Sequence, residues 1–231
     1  MDREFYGVLW GVNFEINTMK IDNYIEIINK LNPLEESKFE YKSKVWLKLN
    51  EDLKQHLFDF ENTIISRRIV IESFKEYYNG KINFSIPFGL TMVWGFADTG
   101  YGTYRTNNYY SLDNHKINIE NSFQFVANNQ IEKAYKELLK INGLNISYIS
   151  KLLYFASRAI DDQSYCLIYD IRVAKSLVKL TCPEEIFEIL DIKPSNKYIH
   201  YNKYNLLMHK VAKENKVSAE ALEMFLFNQI F

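Results

Sequence analysis

The chain has little cysteine, no patterned histidine and no long apolar run, and each shortage removes a class of protein. Its two cysteines, Cys166 and Cys182, are too few for a four-cysteine iron–sulfur site. With no secretory leader ahead of them, they are expected to be reduced thiols of a cytoplasmic protein. The histidines His56, His115, His200 and His209 form no His-Glu-x-x-His pattern, and no Cys-x-x-Cys occurs, so neither a metal nor another cofactor is expected. A Gly-x-Ser-x-Gly nucleophile elbow and the Gly-Lys-Ser/Thr ending of a phosphate loop are also absent. No apolar stretch approaches the ~20 residues that span a bilayer, which predicts a soluble protein that does not engage membranes. Charge of one sign is missing too: 28 basic against 29 acidic side chains leave −1, without the basic excess usual in phosphate-binding chains.

What is present argues for a folded, enzyme-sized unit. A hydrophobic fraction of 47% and an aromatic fraction of 16% give the 231 residues enough apolar surface to offset the entropy of ordering. Apolar residues recur at three- and four-residue steps from Ser37 to Tyr78, until Asn79-Gly80 breaks the pattern. Helical patterns return at 132–141, 148–160, 171–180, 184–190, 197–214 and 219–230. The stretch 81–114 is rich in glycine and aromatics with little helical period, and is expected to be irregular or to hold short strands. The predicted class is mainly α, with an N-terminal, mostly helical lobe over 1–130 and a second lobe over 131–231.

Charge is distributed unevenly within this frame. Between Lys133 and Lys179 eight basic residues face four acidic ones, a local +4, although solvated helix surfaces account for such a run equally well. At Asn142-Gly143-Leu144-Asn145-Ile146-Ser147 a hairpin is predicted between two helices, with Gly143 in a tight turn and Ser147 as a helix N-cap. Helix ends expose N–H groups that bind phosphate, but an ordinary corner between helices reads the same. Lys151 follows at the edge of an apolar face formed by Ile149, Leu152, Leu153, Ala156, Ala159 and Ile160. Asp170 precedes the buried stripe Ile171, Ala174, Leu177 and Val178, where an aspartate is a good N-cap. Taken singly, Lys151 is a solvated lysine and Asp170 a cap.

The hairpin, Lys151 and Asp170 nineteen residues beyond it, in the context Tyr169-Asp170-Ile171-Arg172-Val173-Ala174, together resemble the helix-hairpin-helix DNA glycosylases, in particular the bacterial 8-oxoguanine DNA glycosylase (OGG) fold. The resemblance is specific over about 138–180 and looser beyond. It implies an enzyme that excises a damaged or modified base flipped from double-stranded DNA, with associated lyase activity. Lys151 would be its nucleophile and Asp170 its electrostatic partner. Gly143, Asn145, Ser147, Arg172 and Lys175 would meet the DNA backbone. A second resemblance, to bacterial OGG-fold proteins, lies in Trp94–Thr106; its Tyr101 and Arg105 would wedge into the stack or touch the opposite strand, although a turn-rich packing element fits equally. Phe155 and Phe231 are candidates for the base pocket, with core packing as the alternative. The resemblance implies a bacterial monomer acting in base-excision repair or antiphage defence; the alternative is a catalytically silent DNA-binding relative.

Overall fold

Helix follows helix from Ile25 onward. The computed structural model describes residues 21–97, 101–161, 163–181, 193–229 and 231. The apolar Phe5–Trp10 segment, the helical pattern at 184–190, Cys182 and Asp98–Gly100 lie outside the described residues. Among those described there are twelve α-helices: α1 (Ile25–Lys30), α2 (Pro33–Glu36), α3 (Glu51–Leu57), α4 (Arg67–Tyr78), α5 (Ser85–Phe96), α6 (Tyr101–Tyr110), α7 (Asp113–Ala127), α8 (Ile131–Leu139), α9 (Ile146–Arg158), α10 (Ile171–Thr181), α11 (Tyr198–Glu214) and α12 (Ala219–Asn228). The only sheet among them is a two-residue antiparallel pair, β1 (Phe39–Glu40) and β2 (Ile64–Ile65), with Phe39 opposite Ile65. The mainly helical expectation is met, and no helix among the described residues is long and apolar enough to cross a membrane.

Two segments differ from expectation. The stretch 81–114 is not irregular: its described residues form α5 and α6. Helix α5 lies against α3, α4 and α9 and is buried on nearly every side, so its sequence carries apolar residues all round and no polar face to give a period. The Ser37–Tyr78 region, in turn, is not one helical run, because β1 and β2 and a single 3₁₀ turn at Phe58–Phe60 interrupt it. Elsewhere the termini follow local chemistry. Asn50, Ser66 and Ser218 each accept from a backbone N–H in the first turn of α3, α4 and α12, satisfying donors that the helix leaves unpaired.

Helix α9 is the axis of the molecule. It packs on α4, α5, α7 and α8, and every residue from Ile146 to Ser157 except Ser147 is buried. The sequence predicted an amphipathic helix, but its polar side is closed as well. Burial is tolerable there because hydroxyls turn back on the helix: Ser150 Oγ donates to Ser147 O at 3.1 Å and Ser157 Oγ to Leu153 O at 2.6 Å. Lys151 therefore points from a buried helix and not from a solvated one.

Candidate active site

The approach to α9 is a tight turn whose geometry follows from two residues. Gly143 adopts φ +78°, and its carbonyl accepts from the Tyr109 hydroxyl at 3.1 Å. The N-cap is Asn145, whose Oδ1 accepts from Tyr148 N at 3.4 Å. Ser147, expected to be the cap, is already inside the helix and its hydroxyl is free for another task. One turn later comes Lys151, on the same face.

Asp170 reaches this face by a different route. The extended segment Cys166–Tyr169 returns past α9, fixed by hydroxyls of α11: Tyr201 donates to Leu167 O and Tyr204 to Ile168 O, both at 2.8 Å. From α9 itself, Ser150 Oγ accepts from Tyr169 N at 2.9 Å. Asp170 then starts α10, its Oδ1 accepting from Arg172 N at 3.0 Å as the predicted cap. Its second oxygen faces α9. Lys151 Nζ donates to Ser147 Oγ at 2.8 Å, and Ser147 Oγ donates to Asp170 Oδ2 at 2.8 Å, with Nζ and Oδ2 3.8 Å apart. The two residues that were nineteen positions apart in sequence are thus joined through one hydroxyl.

Burial disfavours the ammonium form of Lys151. The residue is 7% exposed, and burial pushes its pKa below the ordinary 10.5; Asp170 and Glu223 oppose that shift and the Arg67 charge reinforces it. Nζ also lies 4.8 Å from the centroid of the Tyr148 ring, which stacks on Phe96 and donates its hydroxyl to Gly95 O at 3.2 Å. Gly95 is where α5 meets the lysine. A Cβ there would sit 3.0 Å from Tyr148 Cε1 and 3.2 Å from Lys151 Cδ. Replacing a helical glycine by alanine ordinarily stabilises by roughly 0.5–1 kcal/mol. At this position Gly95→Ala is expected to lower the rate of any Lys151 chemistry by about tenfold or more, because displacing a reacting group by a fraction of an ångström is costly. Single-turnover kinetics set against thermal denaturation would separate the two effects.

Lys151, Asp170, Ser147 and Arg172 line one cavity of about 430 Å³, together with Phe39, Trp94, Tyr148, Arg67, Glu223 and Phe227. Asn145, Ser147, Asp170 and Lys175 line an adjoining groove, where the first turns of α9 and α10 meet Lys193 and Asn196. Other expected site residues lie apart. Phe155 is fully buried, edge-on to Trp94 at 5.1 Å, and is core that does not reach the cavity. Phe231 packs on Tyr24 and Phe225 and is also outside the lining; Phe227, four residues earlier, lines the cavity instead, with the Arg172 guanidinium 4.8 Å from its ring. Tyr101 and Arg105 are exposed on α6 and line no part of the cavity, although the Arg105 charge acts on Tyr109 and Tyr148.

Arg67 and Glu223 also line the cavity, and no local sequence signal marks either of them. Arg67 Nη1 donates to Glu223 Oε2 at 2.9 Å with both side chains almost wholly buried, and the guanidinium lies 5.2 Å from the Trp94 and Tyr154 ring centroids. Burial raises the Glu223 carboxyl against the opposing pull of Arg67. Arg67→Met would leave that carboxylate without its cation and is expected to destabilise the protein by about 3–5 kcal/mol in chemical denaturation.

The family model described as "Putative 8-oxoguanine DNA glycosylase OGG-like protein" matches residues 32–227. That match covers α2 through nearly all of α12. No curated protein matches the chain. No solved structure matches it either.

Proposed function

This chain belongs to the OGG-like DNA glycosylase family, and from that premise we propose that it excises a damaged or modified base through Lys151 and then cleaves the abasic strand. The observation that carries this reading is the relay from buried Lys151 through half-buried Ser147 and Asp170, opening on a cavity of about 430 Å³. A neutral amine has two N–H bonds and one lone pair. The two acceptors within reach of Nζ, Ser147 O at 3.3 Å and Ser147 Oγ at 2.8 Å, suit those two N–H bonds and leave the lone pair for attack.

In the proposed reaction the base enters the cavity, the C1′–N bond breaks with its electron pair going to the base, and Nζ bonds to C1′. Asp170 stabilises positive charge developing on the sugar. Nζ then gives one proton to the departed base; the C1′–O4′ bond breaks with its electron pair going to O4′, which takes the second nitrogen proton. The C1′=Nζ imine so formed permits β-elimination, in which a C2′ proton is lost to water and the 3′ phosphate leaves with the C3′–O electron pair. Trp94 and Phe227 offer apolar faces to the extruded base. The groove between the starts of α9 and α10, with Lys175 beside it, offers backbone N–H groups and positive charge to phosphate.

Borohydride reduces the imine to a stable amine and so tests the reading directly. Incubation with duplexes carrying 8-oxoguanine, glucosylated hydroxymethylcytosine or an abasic site is expected to give a covalent adduct with at least one base-bearing substrate. No adduct on any duplex would remove the lysine mechanism for those substrates. The single-turnover rate should also depend on pH in one direction. Protonated Lys151 is unreactive, so the rate should climb as pH rises through the lysine's lowered pKa and level off before the ordinary 10.5.

A further inference from the structure

The two duties of the Asp170 charge conflict. It favours a positive sugar at C1′, and it equally favours the ammonium form of Lys151, which is unreactive. A carboxylate and an ammonium with nothing between them close to roughly 2.7–2.9 Å. Here Lys151 Nζ and Asp170 Oδ2 stand 3.8 Å apart, with the Ser147 hydroxyl 2.8 Å from each. The nearest partner of the amine is therefore an uncharged oxygen, and the carboxylate oxygen facing it already accepts from that hydroxyl. Ser147 is also the one residue from Ile146 to Ser157 that is not buried, and it lines the cavity beside the pair.

Besides burial, the charges that act on Lys151 are Asp170 from α10, Glu223 from α12 and Arg67 from α4. Glu223 and Arg67 act with opposite signs and are bonded to each other at 2.9 Å. Helix α5 carries no titratable side chain, and no charge on α7 or α8 acts on the amine. On α9 itself the Tyr148 ring lies 4.8 Å from Nζ, and Glu36, Lys38 and Arg172 line the same cavity. Asp170 is thus the charge whose distance from the amine one hydroxyl sets.

We propose that Ser147 is a positioning residue whose hydroxyl is a spacer, keeping the Asp170 carboxylate out of hydrogen-bond contact with the Lys151 amine so that one acid serves the sugar without pairing with the nucleophile. The inference rests on the glycosylase reading above. Without the hydroxyl, Nζ closes on Oδ2 and forms the ion pair that the spacer prevents. A close opposite charge moves a pKa by roughly 1–3 pH units, here upward. Below the wild-type midpoint the neutral fraction of the amine, and with it the rate, falls about tenfold for each unit.

The midpoint of Lys151 is read without DNA, by following the ¹³Cε resonance with pH in lysine-labelled protein, assigned by its loss in Lys151→Gln. Ser147→Ala is expected to raise that midpoint by about one pH unit or more, and to slow single turnovers with a deficit that narrows as pH rises. Ser147→Thr keeps a hydroxyl and should restore the midpoint to within about 0.3 pH units of wild type. In Ser147→Ala/Asp170→Asn no carboxylate remains to close upon, and the rise should vanish. Alanine is a good helix former, so the fold should hold; Ser147→Gly, equally without a hydroxyl, replaces it in the titration if it does not. An unmoved or lowered midpoint in the variant without a hydroxyl overturns the proposal, and a rate loss alone then marks a merely structural role. A rise that persists in the double variant comes from another charge and overturns it too. Because the titration needs no DNA, a raised midpoint with no imine trapping removes the glycosylase reading alone, whereas trapping with an unmoved midpoint removes the spacer alone.

Discussion

Lys151→Gln is expected to abolish borohydride trapping and to lower base release on the order of 10³-fold or more, the scale of removing a covalent nucleophile. The loss should not be one of folding. Because the lysine's pKa is lowered by burial, the unfolded chain holds this proton more tightly than the folded one between the folded pKa and the ordinary 10.5. Stability contributed by Lys151 therefore rises with pH through that window and is smallest below it, where the folded state must give up the proton or bury a charge. Glutamine carries no such penalty and can still donate toward Ser147. The variant is expected to be no less stable than wild type at neutral pH, with a flatter stability profile from there toward pH 10. Denaturation midpoints measured across that range, beside the trapping gel, would show whether Lys151 is held at a cost to the fold. A variant that traps as well as wild type would assign the amine chemistry to another residue.

How far this site could be read from sequence depends on where each residue's partners lie. The nearness of Lys151 to Asp170 is legible because both lie near helix starts with local signals and their spacing resembles a known arrangement. Helices α8 to α12 were legible for a similar reason, since each keeps an apolar stripe or a cap. Helix α5 was not, because burial on nearly every side removes the polar face that reveals a helical period. Gly95 falls in the stretch expected to be irregular for the same reason, although its lack of a side chain makes room for Tyr148 and Lys151. The role of Ser147 was missed through a shift of two residues in the cap, which moved its hydroxyl from the helix end to the space between Lys151 and Asp170. Aromatic identity alone could not separate Phe227 from Phe155 and Phe231, because only the packing decides which ring faces the cavity. Arg67 and Glu223 lie 156 residues apart, and no local pattern joins such a pair.

Asp170→Asn separates two duties that one side chain performs. Oδ1 caps α10 through Arg172 N, and Oδ2 accepts from Ser147 and faces the Lys151 amine. Asparagine caps helices about as well as aspartate, so its carbonyl oxygen can keep the first duty and the change in stability should stay within about 0.5 kcal/mol of zero. Alanine removes the cap as well and is expected to cost about 1 kcal/mol. The catalytic effects should not follow that order. Both variants lack the negative charge that would stabilise a positive sugar, and both are expected to lose on the order of 10²–10³-fold in single-turnover rate. Asparagine also places either an amide N–H or a neutral oxygen against Ser147, weakening the relay to Nζ. If asparagine instead kept near-normal activity while alanine lost it, Asp170 would act by positioning α10 and Ser147, and the charge on the sugar would have to be met from elsewhere. Glu223 is the other carboxylate lining the cavity that acts on Lys151. Comparing Asp170→Asn with the double variant Asp170→Asn/Glu223→Gln would then show whether the two carboxylates share that task, since independent groups multiply their effects and a shared one does not.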